Sequence, residues 1–186
     1  MAIKTTLINS FKTLLITIFL CFISYGFLVL VSTIIYSKPK IKIGEIITFT
    51  VKENLDEKNR DKLPILVNGW AYPETWGVWS LGENAELKLP VPKNNPEILF
   101  LHTRALVSDS HPRQRIQVSI NNTTLPEFIL AKNSDNAIEI SLPKEISKNE
   151  TLTLKFTFPD RAKPKDLGIG NDDRELALGL IDAVYR

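Results

Sequence analysis

The stretch Thr151-Leu-Thr-Leu-Lys-Phe-Thr-Phe158 alternates polar and large apolar residues without interruption. Successive side chains of an extended chain point to opposite faces, so this stretch predicts a β-strand with one apolar and one solvated face. The same period of two recurs in the segments Ala85–Leu89, Ile116–Ile120 and Ile138–Leu142. Pro, Asn, Gly or Asp bounds each segment, a pattern typical of a many-stranded antiparallel fold.

Strands of this kind must bury their apolar faces, either between two packed sheets or inside one closed sheet. We therefore predict a mainly β protein, an antiparallel β-sandwich. Asn121-Asn122 predicts a hairpin turn after the Ile116 strand, with Leu125–Leu130 returning beside it. Glu97–Val107 predicts a central strand, and Leu176–Tyr185 a closing strand.

The N-terminal part of the chain has a different composition. Residues 13–37, between Lys12 and Lys38, contain no charged residue and are mostly Leu, Ile, Phe and Val. About 20 apolar residues in a helix span a bilayer core, so we predict one transmembrane helix here. A cleaved signal peptide is the alternative, but its apolar region is normally only about 7–15 residues long.

The anchor divides the chain into four predicted regions. Residues 1–12 form an N-terminal tail, and residues 38–65 form a linker that includes a first strand at Ile43–Val51 and a charged loop at 52–62. Residues 66–186 form the sandwich domain. Lysines flank the anchor on both sides, so the positive-inside rule leaves its orientation open.

Charge and cysteine content exclude several classes of function. The chain has 23 basic and 21 acidic residues, and only Lys4 and Lys12 among them precede the anchor, so the domain is close to neutral. Nucleic-acid binding needs a clustered basic excess and is not expected. The single cysteine, Cys21, lies in the anchor, and two histidines give no recognisable metal-ligand spacing, so we expect no metal and no cofactor.

The most distinctive local composition is aromatic. Trp70, Trp76 and Trp79, the three tryptophans of the chain, fall within ten residues, together with Tyr72 and Glu74. Aromatic rings beside carboxylates suit the apolar face and hydroxyl rim of a sugar, so these five residues are candidate glycan ligands. Two interpretations stay open: Trp70 and Trp79 have strand-like contexts typical of core residues, whereas Trp76 lies in a predicted loop as an exposed platform.

Catalytic residues are not indicated. Ser108, Asp109, Ser110 and His111 are the one local group that contains a nucleophile and a base, and a solvated loop explains them better. We therefore expect a protein that is not an enzyme.

Asn171, Asp172 and Asp173 offer oxygen atoms that suit calcium, although their spacing is not that of an EF-hand. The favoured interpretation is a turn in which Asp172 accepts backbone hydrogen bonds and Arg174 pairs nearby.

Two stretches carry a resemblance to a known family. They are Gly69-Trp70 with Trp76-Gly77-Val78-Trp79-Ser80-Leu81-Gly82, and Pro164 to Leu176. With the strands between them they resemble the uncharacterised jelly-roll-like domain at the C-terminus of bacterial membrane glycosyltransferases and phosphoglycerol-transferase-like envelope proteins, over about residues 66–186. The chain departs from that pattern at Ala177, where a glycine is usual, and it lacks the transferase portion.

The resemblance implies a jelly-roll-like fold placed outside the cytoplasmic membrane, and it transfers no catalytic residue. It implies a structural role for the motif residues, which are Gly69, Gly77, Gly82, Asp172 and Arg174.

The expected function is a single-pass inner-membrane accessory module that binds or positions cell-envelope glycan, or that supports a membrane glycosyltransferase. The alternative is an assembly subunit without a glycan ligand, whose helix packs in a membrane complex through Ser24, Gly26 and Ser32.

Overall fold

The structure is a computed structural model that describes residues 41–50, 66–149 and 151–186. The predicted tail at 1–12, the anchor at 13–37 and the charged loop at 52–62 lie outside the described residues. Within the described ranges, no helix is long and apolar enough to cross a membrane.

The described residues form two antiparallel sheets. The first sheet has the strand order β1 (Ile46–Thr48), β11 (Leu178–Tyr185), β5 (Ile98–Ala105) and β9 (Asn136–Ser141), and β3 (Val78–Trp79) also pairs with β11. The second sheet has the order β2 (Leu66–Asn68), β4 (Asn84–Pro90), β10 (Thr151–Thr157) and β6 (Gln114–Ile120), and β7 (Thr123–Thr124) and β8 (Phe128–Leu130) both pair with β6. A short 3-10 helix, Ile146–Lys148, precedes β10.

The two sheets share one hydrophobic core. Leu87 and Leu154 of the second sheet and Leu101 and Tyr185 of the first are fully buried members of the same cluster. Strands β4, β5 and β10 alternate buried and more accessible residues, as an antiparallel sheet with one buried face requires. The protein is therefore mainly β, with its two antiparallel sheets packed face to face.

The strands predicted from alternation are confirmed as β4, β6, β9 and β10, each within two residues of its predicted ends. The predicted hairpin turn is also present, because Asn121 and Asn122 adopt φ angles of 44° and 74°. The predicted return strand is divided into β7 and β8, with Pro126 between them. Proline has no N–H to donate to β6, so the ladder is interrupted there.

One boundary differs from the prediction. The strand assigned to the 38–65 linker is β1, which pairs with β11, and Ile47 and Phe49 are buried in the core. It is shorter than Ile43–Val51, since Gly44 has a left-handed φ of 81° and turns the chain before the strand begins. The sandwich therefore includes residues upstream of 66.

Candidate functional site

The outer face of the first sheet, the side turned away from the core, carries most of the chemically distinctive side chains. On β5 the buried residues are Leu99, Leu101, Thr103 and Ala105, and the residues between them point outward. Those outward residues are Phe100, His102 and Arg104. Their period of two places an aromatic ring, an imidazole and a guanidinium in one row.

A β-bulge in β11 completes that row. Between Leu180, opposite Thr103, and Asp182, opposite His102, strand β11 contains one extra residue, Ile181. Strict alternation from the buried Leu180 would turn Asp182 inward, so the extra residue is what directs its carboxylate to the outer face. There Asp182 Oδ1 lies 2.7 Å from His102 Nδ1.

Trp76 lies against the same face at its β3 end. A Cβ placed on Gly179 would be 2.8 Å from Cη2 of Trp76, so the glycine allows the indole to rest on the strand. Gly77 brings the chain equally close, because a Cβ there would be 2.3 Å from the carbonyl oxygen of Leu180. The Arg104 guanidinium lies over the Trp76 ring, with its Cζ 4.7 Å from the ring centroid.

Trp79 and Glu74 fix the indole from the other sides. Trp79 is opposite Gly179 in the ladder, and directly opposite residues share a face, so it joins the outer face beside Trp76. The two rings meet edge to face, with centroids 5.3 Å apart. Trp76 Nε1 donates a hydrogen bond to Glu74 Oε2 at 2.8 Å. Trp76 is thus a partly buried, oriented ring.

Beyond the tryptophans the face contains a cleft. Its volume is about 430 Å³, and its lining includes His102, Asp182, Asp135 and Asn136. Past the cleft, the Arg186 guanidinium lies 4.3 Å from the centroid of the Phe100 ring. The outer face thus carries an aromatic pair, a polar cleft and a second aromatic ring in sequence along β5.

The structure separates the five predicted ligand residues. Trp70 turns toward the core, where it meets Phe156 edge to face at 5.8 Å and its Nε1 donates to the Glu86 carbonyl. Tyr72 is 61% exposed on the segment between Trp70 and Glu74. Trp76 and Trp79 join the outer face of the first sheet, and Glu74 accepts the hydrogen bond from the Trp76 indole.

Sequence reasoning missed Arg104, His102 and Asp182. The first two could have been found, because Phe100, His102 and Arg104 alternate with buried residues inside a predicted strand. Asp182 could not, since strict alternation in β11 places it on the wrong face.

The motif residues Asp172 and Arg174 form one turn. Arg174 donates from its backbone N–H to Asp172 Oδ1 at 2.9 Å, and its guanidinium binds both carboxylate oxygens. The guanidinium hydrogen bonds hold the pKa of the Asp172 carboxyl below its usual value. Asp173 pairs with Lys165 at 3.3 Å, so chain cations engage both candidate calcium-binding carboxylates. Gly69 and Gly82 lie in the neighbouring turns, linked by a hydrogen bond from Leu81 N–H to the Gly69 carbonyl.

The serine and histidine candidates lie in a tight hairpin. Ser108 and His111 exchange backbone hydrogen bonds, and Ser108 Oγ is 3.2 Å from Ser110 Oγ. His111 Nε2 is 2.9 Å from Nε2 of the buried Gln114. The two serine hydroxyls therefore contact each other, and the His111 imidazole contacts Gln114. Neither serine hydroxyl is paired with the histidine.

The outer face of the second sheet also holds a cleft, of about 420 Å³. Amide, hydroxyl and charged side chains dominate its lining, among them Asn84, Gln117, Lys155 and Thr157. This cleft lacks the exposed aromatic surface of the first sheet, so it is the weaker candidate for stacking on a sugar.

No family model matches the sequence, and no curated protein matches it. Solved structures with some similarity include a family two carbohydrate esterase from Clostridium thermocellum in complex with cellohexaose, at 7% identity and a TM-score of 0.43 over 66% of this chain. Another is a domain of a multidomain xylanase from the hindgut metagenome of Trinervitermes trinervoides, at 11% identity and a TM-score of 0.41, covering 75% of this chain and 94% of that one.

The chain spans 30% of the esterase chain. With TM-scores below 0.5, these similarities carry no argument about the ligand or activity of this chain.

Proposed function

We propose that this chain is a membrane-anchored, extracytoplasmic, non-enzymatic β-sandwich module that binds cell-envelope glycan on the outer face of its first sheet. The anchor at residues 13–37 and the association with a membrane glycosyltransferase rest on the sequence and its family resemblance. The jelly-roll-like assignment is supported by the way strands β4, β5 and β6 alternate between the two sheets.

The observation that carries the proposal is the position of Trp76 on Gly179. A strand glycine that leaves room for an indole, an edge-to-face Trp79 and a hydrogen bond from Glu74 together orient one partly exposed ring. A rigid aromatic platform recognises the C–H face of a sugar at little entropic cost, because the ring is already ordered.

The cleft next to this platform supplies polar groups for sugar hydroxyls. His102 is half-exposed and its Nδ1 lies 2.7 Å from Asp182 Oδ1, so its other ring nitrogen is the one that can face a ligand. Asn136 also lines this cleft; its Nδ2 donates to the Lys132 carbonyl at 2.7 Å, so its side-chain oxygen is the group offered to a ligand. A ring platform beside a few oriented polar groups is the usual arrangement of a saccharide site.

The test is a fluorescence titration of the full chain in detergent micelles with oligosaccharides from its own envelope. We expect saturable quenching, and we expect Trp76→Ala to weaken binding by about tenfold or more, since burying such a ring stabilises a complex by about 1.5–3 kcal/mol. Trp70→Phe is the matched control because Trp70 faces the core, and it should leave affinity unchanged.

Failure of every envelope oligosaccharide to quench would overturn glycan binding. That result would favour the alternative hypothesis, an assembly subunit without a glycan ligand. Crosslinking to a membrane partner would then be the expected result. Unchanged affinity in Trp76→Ala would instead place the site elsewhere on the domain.

A further inference from the structure

Arg104 is a half-buried cation whose charge is not balanced within the part of the chain that the structure describes. No carboxylate of residues 41–50, 66–149 or 151–186 forms an ion pair with it, and its Nε is buried without a hydrogen-bond partner. Arginine is seldom buried without an anionic partner. Nε itself is out of a ligand's reach, so the terminal nitrogens of the guanidinium, which lies over the Trp76 ring, are the groups that can meet a ligand on the proposed glycan face.

The carboxylates nearest to Arg104 along the face lie against other groups. Glu74 accepts the hydrogen bond from the Trp76 indole. Asp182 Oδ1 lies 2.7 Å from His102 Nδ1, although without the geometry of a hydrogen bond. Glu139 is opposite Phe100, which is four residues along β5 from Arg104, or about 14 Å at ~3.4 Å per residue. The Arg104 end of the face therefore offers a partly buried cation, whereas the Phe100 end carries both an acid, Glu139, and an exposed cation, Arg186.

Arg186 provides an internal comparison. It also lies over an aromatic ring of the same face, Phe100, but it is exposed and therefore hydrated. An anion gains more from a partly dehydrated guanidinium than from an exposed one, because water screens the exposed pair. The two arginines thus differ in burial while sharing charge and aromatic stacking.

We propose that Arg104 makes this face specific for an acidic glycan, by binding the carboxylate of a uronic-acid-type sugar stacked on Trp76. The planar guanidinium donates two parallel hydrogen bonds to a carboxylate, a match that a sugar hydroxyl does not provide. At the Phe100 end Glu139 offsets the charge of the exposed Arg186, so the charged sugar is placed at the tryptophan end. This inference rests on the proposed glycan binding.

The experiment compares oligogalacturonate with its methyl ester, which keeps the sugar rings but replaces each carboxylate by an uncharged ester, by calorimetric titration of the full chain in detergent micelles. We expect the acid to bind about tenfold more tightly than the ester, the lower part of the range for hydrogen bonds to charged groups. Arg104→Gln should abolish that preference while ester binding persists. Arg186→Gln, the matched control, should preserve it.

Equal binding of acid and ester would overturn the acidic preference and leave glycan binding standing. Binding of neither ligand, together with binding of a neutral envelope oligosaccharide, would do the same. A preference that survives in Arg104→Gln would place the anion elsewhere and overturn this inference. Equally tight, Arg104-dependent binding of poly-glutamate or of a phosphorylated saccharide would also overturn it, because it would show recognition of charge alone.

Discussion

Gly179→Ala tests whether the strand surface under Trp76 is essential to the platform. The backbone of Gly179 is ordinary strand, so alanine adds only a methyl group. That methyl carbon would lie 2.8 Å from Trp76 Cη2 and 3.0 Å from Cζ3, whereas carbon atoms pack best at about 3.5 Å or more. The indole must therefore move outward by about 0.7 Å, since the shortfall is the difference between these distances.

Overpacking of this size typically lowers the free energy of unfolding by about 1–3 kcal/mol. We expect the lower half of that range because Trp76 lies at the surface. The assay is urea unfolding of the full chain, followed by circular dichroism. Gly170→Ala is the control, since the nearest atom to its Cβ is at an ordinary 3.7 Å. The same substitution should also weaken glycan binding by displacing the ring.

A double-mutant cycle tests whether the loss in free energy of unfolding comes from the contact between residue 179 and Trp76. In a Trp76→Ala background most of the clash disappears, leaving only the 3.1 Å approach to Arg104 Cβ, so Gly179→Ala should cost much less there. An equal cost in both backgrounds, or no cost in either, would show that Trp76 does not rest on Gly179.

Three further predictions concern the sandwich itself. Tyr185→Phe should raise the free energy of unfolding by about 1 kcal/mol, because the tyrosine hydroxyl is buried and has no hydrogen-bond partner among the described residues; a loss of stability in urea unfolding would refute this. Hydrogen bonds from Arg115 lower the pKa of Asp160, so the pair stabilises the fold above the carboxyl's unfolded pKa of about 3.9, and this contribution is lost as the pH falls through the lower folded pKa. Asp160→Asn should therefore be destabilised near neutral pH and match the parent chain in strong acid, and a deficit independent of pH would contradict the pairing. Leu154→Ala should cost about 2–5 kcal/mol in the same unfolding assay, because Leu154 is fully buried between β4 and β6, and a cost below about 1 kcal/mol would argue against a shared core.

The strands were predictable because a local physical rule determines them. In β10 the alternation of Leu152, Leu154 and Phe156 with polar residues specifies both the extended conformation and the buried face. The turn at Asn121-Asn122 was predictable for a similar reason, since asparagine tolerates positive φ.

The outer face was not predictable from local pattern. It assembles side chains from β3, β5 and β11, and the pairing of these strands is a tertiary property. Local pattern also did not reveal that Trp70 would contact Phe156 and Trp79 would contact Trp76, although both tryptophans have strand-like neighbours. The bulge at Ile181 reverses the face of every later residue in β11, and nothing in Leu178–Tyr185 signals it.

The most direct test of the proposed glycan face uses the three indole N–H signals in the NMR spectrum of the full chain in micelles, titrated with an envelope oligosaccharide. The proposal predicts that the Trp76 and Trp79 signals shift together and saturably, while the Trp70 signal, bonded to the Glu86 carbonyl, stays in place. Saturable shifts in backbone signals of the second sheet, at Asn84, Gln117 and Thr157, with the Trp76 and Trp79 indoles unmoved, would contradict it and place the ligand on the opposite face.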